Sequence, residues 1–432
     1  MSPEPSNWVL RIESINFDGT VCNTTDLSTI RGSSLALEAI GYEIEALLKT
    51  LLLPAEFEKI YIGGSQAVFR LISATENSVT VLAQELRDHC AGSIKQGDDW
   101  PAYVDPEKLA DFANFPPDEQ LRLLDTPFEH MTYVVDVERI DGTDDAALKI
   151  AINKAHMRSR RRQMRAPNPP RSPGTTASSG MIADRAALRC PIDMDRQITP
   201  APSDLGCTLV VNQDRFPNAV ACPDVALAAK GLKRIYASKR TADLRPYGLD
   251  ARRTLYAVQI GVKNYRDLVA KGLFVTHDFA RSFDDITAKP PAGLAPSVRG
   301  KLAYVYLDGN GFSKIRDVSD FAAFAEMCDA ITKVMLTGLL NRFLDESANP
   351  VWSLGRKIYT RTERYKWGQV DRQLMRLETL IFGGEDACLV MPAWLAFELT
   401  SLMLKRAGDA GNAAVANWVV ADKPKISFRA EC

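Results

Sequence analysis

Two glycine-rich turns in the C-terminal part of the chain carry acidic residues. Asp308 follows the apolar run in LAYVYLDGNG (302–311), and Glu385 and Asp386 follow two glycines in LETLIFGGEDACLVMPAW (377–394). Carboxylates that lie close together repel one another unless a cation sits between them. Hard oxygen ligands suit Mg²⁺ or Mn²⁺, which leave coordination positions free for phosphate oxygens. The pattern therefore indicates a site for two divalent ions, with these three acids as metal ligands and catalytic residues.

The glycines beside these acids predict a close approach between a ligand and the backbone. The turn DGNGFSKIRD (308–317) leads towards a helix, so its N–H groups could cradle a triphosphate while Lys314 or Arg316 offsets phosphate charge. The candidate nucleotide contacts in this part of the chain are Gly309, Asn310, Gly311, Phe312, Lys314, Gly383 and Gly384. The alternative is that the GGED tetrapeptide is an ordinary solvated hairpin turn, which Gly-Gly also favours.

The elements that would position these turns follow a definite order. The patterns predict a strand at 302–311, a helix at 321–344, a two-stranded hairpin at 377–392, a helix at 395–408 with Gly408 as its C-cap, and a strand at 423–432. This β-α-β-β-α-β order is the split ferredoxin-like unit, in which the first and third strands are neighbours. We therefore expect Asp308 to face Glu385 and Asp386 across a short gap.

The same order occurs near the N-terminus, which indicates an internal repeat. The patterns predict a strand at 7–19, a helix at 34–53, a hairpin at 57–73 joined at Gly63-Gly64, a helix at 77–90 capped by Ser78, and a strand at 130–138. In this comparison Phe17-Asp18-Gly19 corresponds to Leu307-Asp308-Gly309, and Gly63-Gly64-Ser65-Gln66 corresponds to the GGED turn. The predicted fold class is α+β, with two ferredoxin-like (βαββαβ) domains.

The region between the two units is less regular. Residues 157–180 begin as the arginine-rich end of a helix, which either contacts nucleic acid or is simply solvated, and continue as a Pro/Ser/Gly linker. Zinc is not expected at Cys190, Cys207 and Cys222, because no Cys-x-x-Cys pair is present. The basic insertion at 347–373 is expected either to flank a nucleotide or to form a plain loop.

Composition limits the class of protein. The chain has 432 residues, of which 46% are hydrophobic and 25% charged, with a net charge of -1. This profile indicates a soluble globular protein of two or three domains and excludes a nucleic-acid footprint over the whole surface. No apolar run reaches membrane-spanning length, no signal peptide is visible, and the eight scattered cysteines fit a reducing compartment. We therefore expect a cytoplasmic protein without a membrane partner.

Together these motifs resemble a known family. KLAYVYLDGNG followed by LETLIFGGEDACLVMPAW resembles the catalytic palm of the large subunit of type III CRISPR effector complexes, whose pattern is Gly-Gly-Asp-Asp followed by an apolar strand and Pro-Ala-Trp. INFDGTVCNTTDLSTIRGSSLALEAI is similar to the first palm of that family, and CPIDMDRQITPA (190–201) is similar to the entry of its small knuckle.

The resemblance implies an architecture and an activity. It implies two palms packed as a pseudo-dimer, with a first palm at 1–145, a linker and knuckle region at 146–300, and a catalytic palm at 301–432. The family binds two ATP molecules and makes cyclic oligoadenylates, so Asp308, Glu385 and Asp386 would hold Mg²⁺ or Mn²⁺. The first palm has Ser65-Gln66 where carboxylates would stand, so it would bind nucleotide without catalysing. Its implied nucleotide contacts are Ser33, Ser34, Gly63 and Gly64.

Some features of this chain differ from the family pattern and leave alternatives open. The hairpin has Glu-Asp instead of Asp-Asp, and the first palm begins within the first ten residues, so we expect a short form without the HD nuclease domain. The alternatives are a non-catalytic nucleotide-binding scaffold of an RNA-guided effector complex and an enzyme similar to a diguanylate cyclase. The implied partners are ATP, CRISPR effector subunits, and guide or target RNA.

Overall fold

The structure, a computed structural model, describes most of the chain. The described residues are 5–15, 21, 24, 26–63, 66–90, 126–165, 208–213, 221–222, 225–229, 231–261, 277–310, 312, 321–363, 366–383, 386–416 and 427–431. Among these residues no helix combines the length and the apolar character needed to cross a membrane.

The first unit contains the predicted elements in the predicted order. They are β1 (Ser6–Ser14), α1 (Leu27–Leu51), β2 (Phe57–Gly63), β3 (Gln66–Ala74), α2 (Glu76–Cys90) and β4 (Tyr133–Arg139). Helix α1 begins seven residues before the predicted start, at a cap where the Asp26 carboxylate accepts a hydrogen bond from the Thr29 backbone N–H at 3.0 Å. The prediction was wrong here because the first turns of α1 are polar and yet buried.

The cap of α2 also differs from the prediction. Thr75, not Ser78, precedes the first residue of the helix, and its Oγ1 accepts from the Ser78 backbone N–H at 3.2 Å. The Ser78 hydroxyl in turn accepts from the Thr75 backbone N–H at 3.1 Å. Ser78 is therefore the third helical residue of a reciprocal cap, in the position that Glu or Gln usually fills.

The region between the two units contains short strands and two long helices. Its elements are α3 (Asp145–Arg165), β5 (Thr208–Asn212), β6 (Ala221–Cys222), α4 (Val225–Ala228), β7 (Leu232–Tyr236), α5 (Lys239–Gln259), β8 (His277–Phe279) and α6 (Phe283–Thr287). Strands β5, β7 and β6 form a small antiparallel sheet. The Pro/Ser/Gly linker predicted after α3 lies outside the described residues.

The second unit repeats the order of the first and adds a long hairpin. Its elements are β9 (Leu302–Gly309), α7 (Phe321–Asp345), β10 (Ser353–Glu363), β11 (Lys366–Met375), β12 (Glu378–Gly383), β13 (Asp386–Pro392), α8 (Ala393–Ala416) and β14 (Phe428–Glu431). The basic insertion at 347–373, expected either to flank a nucleotide or to form a plain loop, is largely the β10–β11 hairpin, whose strand β11 pairs with β8.

Gly408 does not cap α8, because the helix continues for eight residues beyond it. Gly411 and Val415 in that last part are buried, and Val415 packs in the main hydrophobic core of the second unit. Packing of this face keeps the chain helical past a glycine that favours termination.

The two units have sheets with the same strand order. The first sheet has the order β2-β3-β1-β4 and the second sheet has the order β12-β13-β9-β14, with antiparallel neighbours in both. The α+β class with antiparallel sheets is thus confirmed. The first and third strands of the β-α-β-β-α-β pattern are adjacent in both sheets, as β1 and β3 in the first and as β9 and β13 in the second.

Three of the hydrophobic clusters in the described part of the chain join these two sheets to the long helices. One lies between the first sheet and helices α1 and α2, and one lies between the second sheet and helices α7 and α8. The third joins the units: α1 and α5 pack there against Leu380 and Val390 of the second sheet. Burial of apolar surface at each core supplies the main driving force for this arrangement.

Candidate active site

The backbone of the second sheet brings two of the predicted acidic residues to one edge. Ala387 of β13 pairs with Leu307 of β9, and one residue further along each strand, towards the hairpin, lie Asp386 and Asp308. Gly383 pairs with Asp386 and closes the β12–β13 hairpin. Asp308 and Asp386 thus occupy neighbouring strand ends, while Glu385 lies outside the described residues.

Asp308 belongs to the face of the second sheet that carries no helix of its own unit. Leu307 and Ala387 are buried in the core with α7 and α8, and successive residues of a strand point to opposite faces. Asp308 therefore shares a face with Tyr304 and Tyr306, which are 49% and 38% exposed. We call the part of this face along β9 the open face, because Tyr304 and Tyr306 are exposed there, whereas Val390 of β13 lies under α1 and α5 on the same side of the sheet.

The end of β9 is fixed by close packing below it. A Cβ on Gly309 would collide with the ring of Phe312, which is 2% exposed. That ring packs against Phe324 and Phe428, with centroids 6.0 and 5.4 Å away. Phe312 is thus a core residue, so a nucleotide contact at this position would have to come from its backbone.

The structure describes only some of the other predicted nucleotide-contacting residues near the two hairpins. The backbone N–H of Asn310, an exposed residue, donates to the Ser427 carbonyl at 3.0 Å and ties the turn to the residue before β14. Gly63 ends β2, and its carbonyl accepts from the Tyr61 hydroxyl at 2.9 Å. Gly64, Gly311, Lys314 and Gly384 lie outside the described residues.

Ser33 and Ser34 lie inside the molecule. Ser33 Oγ donates to the Thr29 carbonyl at 3.0 Å and accepts from the Arg240 guanidinium at 2.9 Å. Ser34 Oγ donates to the carbonyl of Leu380, on β12. A nucleotide contact by either hydroxyl would require these buried hydrogen bonds to break.

A buried ionic cluster that no local sequence pattern indicates holds the first residue of β12. The Glu378 carboxylate accepts from the Arg31 Nε and from the Arg252 guanidinium, each at 2.8 Å, and all three side chains are at most 1% exposed. Burial, and after it the charge of Arg31, lower the pKa of Arg252 to about 10. Strand β12 leads from this cluster to the GGED turn.

A second residue that sequence reasoning missed lies beside Asp308. Arg429 of β14 pairs with Asp308 of β9, so the two residues share a face of the second sheet. Only the strand register reveals this pairing, because 120 residues separate the two positions in the sequence.

The register corrects the correspondence between the two units. Ile12 pairs with Ala67 in the first sheet as Leu307 pairs with Ala387 in the second, and Glu13 pairs with Gln66. The counterpart of Asp308 is therefore Glu13, not Asp18, which lies outside the described residues. The comparison of the sequences aligned the Asp-Gly turns of the two units. The strand pairing instead aligns residues by their distance from the hairpin turn, and this distance gives Glu13.

The donor set is compatible with a hard divalent cation. No group of three or more His, Cys, Asp or Glu side chains suited to a metal is found among the described residues. The predicted group, however, includes Glu385 and the Asp386 side chain, which are not described. Two aspartates at the ends of paired strands offer oxygen ligands of the kind that Mg²⁺ and Mn²⁺ prefer.

The cysteines expected to be free of zinc are described only in part. Cys190 and Cys207 lie outside the described residues, and Cys222 lies in β6. Elsewhere, Cys90 is buried in the core of the first unit, and burial raises the pKa of its thiol to about 12.

Comparisons with known proteins give likenesses of fold. No protein-family model matches the chain, and no curated protein does. Solved structures of Csm1, a type III CRISPR protein, are similar to it. The Csm1–Csm4 cassette in complex with cA4 has 13% sequence identity, covers 99% of this chain and 49% of that chain, and has a TM-score of 0.44. The corresponding values are 12%, 99%, 50% and 0.45 for the cassette in complex with one ATP, and 11%, 99%, 48% and 0.43 for Csm1 in T. onnurineus.

This chain spans about half the length of those structures. At identities and TM-scores this low, the likeness says nothing about substrate or activity. The case for a function therefore depends on the residues of this chain.

Proposed function

We propose that the chain is a nucleotidyl cyclase that joins ATP into cyclic oligoadenylates for antiviral signalling. The observation that carries the proposal is the register that sets Asp308 and Asp386 on neighbouring strand ends. The resemblance of the two surrounding motifs to type III CRISPR palms supplies the expected substrate, ATP. An ordinary hairpin turn would not require a second acid at the end of the adjacent strand.

The proposed architecture is a pseudo-dimer of two ferredoxin-like palms, 1–145 and 301–432, joined by 146–300. Two observations support it. Both sheets have the same strand order, and the contacts between units are reciprocal: α1 packs on β12, and α7 packs on β2. A pair of related units facing each other through an approximate two-fold axis produces such an exchange.

The proposed reaction is a phosphoryl transfer. The 3′-oxygen of one ATP forms a bond to the α-phosphorus of another, the bond from that phosphorus to the bridging oxygen of the β-phosphate breaks, and pyrophosphate leaves with the electron pair. The hydroxyl proton passes to solvent. Mg²⁺ or Mn²⁺ held by Asp308, Glu385 and Asp386 would activate the hydroxyl and neutralise the leaving group.

The chain itself would position the substrate at this edge. Backbone N–H groups of the turn after Asp308 and of the Gly383-Gly384 turn would face the phosphates, as glycine permits close approach. Lys314 and Arg429 would offset phosphate charge from the same edge. We retain Gly309, Gly311 and Phe312 as backbone contacts in this proposal, and Asn310 as a contact through its side chain, because its backbone N–H donates to the Ser427 carbonyl.

The test is pyrophosphate release from ATP with Mg²⁺ or Mn²⁺, together with chromatography of the nucleotide product. We expect Asp308→Asn and Asp386→Asn each to lower the rate by about 100-fold or more, because even groups that only support a metal ligand are worth about 10–100-fold. The matched control is Glu398→Gln, which removes an exposed carboxylate of α8 that pairs with Arg342 at 3.2 Å.

The proposal fails if the aspartate variants retain the wild-type rate. If the wild type itself binds ATP and releases no pyrophosphate, the second candidate is favoured: a nucleotide-binding scaffold in an RNA-guided effector complex. The observation behind that candidate is the first unit, in which Gln66 takes the hairpin position of Asp386. Both candidate functions would include binding to CRISPR effector subunits and to guide or target RNA.

A diguanylate cyclase fits the second sheet less well. The diguanylate cyclase signature, Gly-Gly-Asp/Glu-Glu-Phe, requires Glu-Phe at the positions of Asp386 and Ala387. Ala387 is 1% exposed and packs in the core with α7 and α8, so a phenylalanine at this position would force the core to rearrange. A preference for GTP over ATP in the same assay would support this third reading.

A further inference from the structure

The first sheet contains a buried arginine at the place that corresponds to the proposed metal site. Arg11 of β1 donates from Nη1 to the Glu13 carboxylate at 2.7 Å and from Nη2 to the Gln66 side-chain oxygen at 2.9 Å. The arginine is 3% exposed. One guanidinium therefore bridges the last charged residue of β1 and the first residue of β3.

The strand register makes these two oxygen donors the counterparts of the proposed metal ligands. Glu13 and Gln66 are paired one step beyond Ile12 and Ala67, just as Asp308 and Asp386 follow Leu307 and Ala387. The same count makes Tyr306 the counterpart of Arg11. The first unit thus has a cationic side chain where the second unit has an exposed tyrosine.

Helix α3 covers this face of the first sheet. Val9 of β1 packs with Leu148, Ile152 and other residues of α3 and is 0% exposed, whereas its counterpart Tyr304 is 49% exposed. The Arg162 guanidinium of α3 also reaches Asp136, the β4 residue paired with Arg11, at 2.8 Å. The face that is open in the second unit is therefore closed in the first.

We infer that the guanidinium of Arg11 takes, in the first unit, the place that a divalent cation takes in the second. A planar guanidinium offers fixed donors to both oxygen ligands and carries a charge that does not dissociate. Glutamine at position 66 is consistent with this role, because one arginine balances one carboxylate. The first unit is then a half-site with a built-in cation, which neither needs nor admits Mg²⁺ or Mn²⁺.

The inference depends on the proposed function for the identity of the second site as a metal site. It adds that both ions of the proposed reaction belong to the second unit. The difference in metal binding between the two units would then come from the Arg11 side chain and from helix α3, which covers that face of the first sheet. The carboxylate that is missing at Gln66 would add to this difference.

The experiment converts the first unit into a metal site and measures Mn²⁺ directly. In an Asp308→Asn/Asp386→Asn background, Arg11→Met/Gln66→Asp removes the built-in cation and supplies a second carboxylate. We expect this variant to bind one Mn²⁺ per chain more than the Asp308→Asn/Asp386→Asn background does, as measured by equilibrium dialysis. Its Tm should rise by about 3 °C or more when Mn²⁺ is added to saturation. Arg11→Met/Gln66→Asn, the matched control, should gain neither.

Gln66→Asp alone, with Arg11 retained, should bind no additional Mn²⁺. Additional Mn²⁺ in this variant overturns the inference, as does a folded Arg11→Met/Gln66→Asp that binds none. If that double variant folds only when Mn²⁺ is present, the inference is supported; failure to fold with or without Mn²⁺ overturns it. A wild type without pyrophosphate release, alongside the expected Mn²⁺ results, would reject the proposed function alone.

Discussion

Single residues at the end of β9 determine how the candidate site is built. Asp308 is held between a buried neighbour, Leu307, and a glycine whose missing side chain makes room for the Phe312 ring. The direction of Asp308 therefore depends on the packing beneath Gly309. Strain at this glycine would act on the acid next to it.

Gly309→Ala should disturb this strand end. The added methyl would collide with the Phe312 ring, which is fixed between Phe324 and Phe428, so we expect a loss of about 1–3 kcal/mol in the free energy of unfolding and a lower rate of pyrophosphate release. Urea denaturation and the pyrophosphate assay measure the two effects.

Gly408→Ala is the matched control. Outside its own helix turn, no atom of the described residues lies within 4 Å of a Cβ at this position, so the substitution should stabilise the protein by about 0.5–1 kcal/mol and leave the rate unchanged. Equal stability of Gly309→Ala and wild type would contradict the packing argument.

At the scale of elements, the crossing of α1 and α5 joins the first unit to the region before the second. A Cβ on Gly248 of α5 would lie 2.5 Å from the backbone nitrogen of Gly32 on α1, so the two helices touch through their backbones. Arg31 and Ser34, beside Gly32, contact the second sheet from the same helix. The polar start of α1 is therefore an interface between units.

Gly248→Ala should force these helices apart. Its new methyl meets only backbone atoms, which cannot rotate away, so we expect a loss of about 1–3 kcal/mol of stability by urea denaturation. In the control Gly355→Ala, the nearest atoms belong to the flexible Gln373 side chain, 3.5 Å or more away, and the change should be smaller. Equal effects of the two substitutions would argue against a tight helix crossing.

At the scale of the whole molecule, Glu378 joins three parts of the chain. Arg31 comes from the first unit, Arg252 from the region between units, and Glu378 from the strand that leads to the GGED turn. A charge cluster this deeply buried holds a geometry well and stabilises less than its contacts suggest, since desolvation offsets much of the attraction.

Glu378→Gln should leave two buried guanidinium groups without a counter-charge. We expect a loss of about 3–5 kcal/mol in the free energy of unfolding. Replacing all three members, as Arg31→Met/Arg252→Met/Glu378→Leu, should restore most of this loss. If the triple variant is no more stable than Glu378→Gln, the cluster contributes through something other than unpaired charge.

Much of the fold could be predicted because its signals are local. Apolar periodicity and paired glycines located the four strands and two helices of each predicted repeat in order, including the β2–β3 and β12–β13 hairpins. These patterns depend on residues only a few positions apart. The polar start of α1 and the long end of α8 were missed because distant packing, not local periodicity, sets those boundaries.

The sequence by itself determined which acids and glycines the candidate site offers and the order of the elements that carry them. The tertiary structure alone decided that Glu13 is the counterpart of Asp308, that Arg429 is paired with Asp308, and that Arg31 holds Glu378. Strand register and buried ion pairs join residues that lie far apart in the sequence. Such contacts exist only once the chain has folded, so no local pattern encodes them.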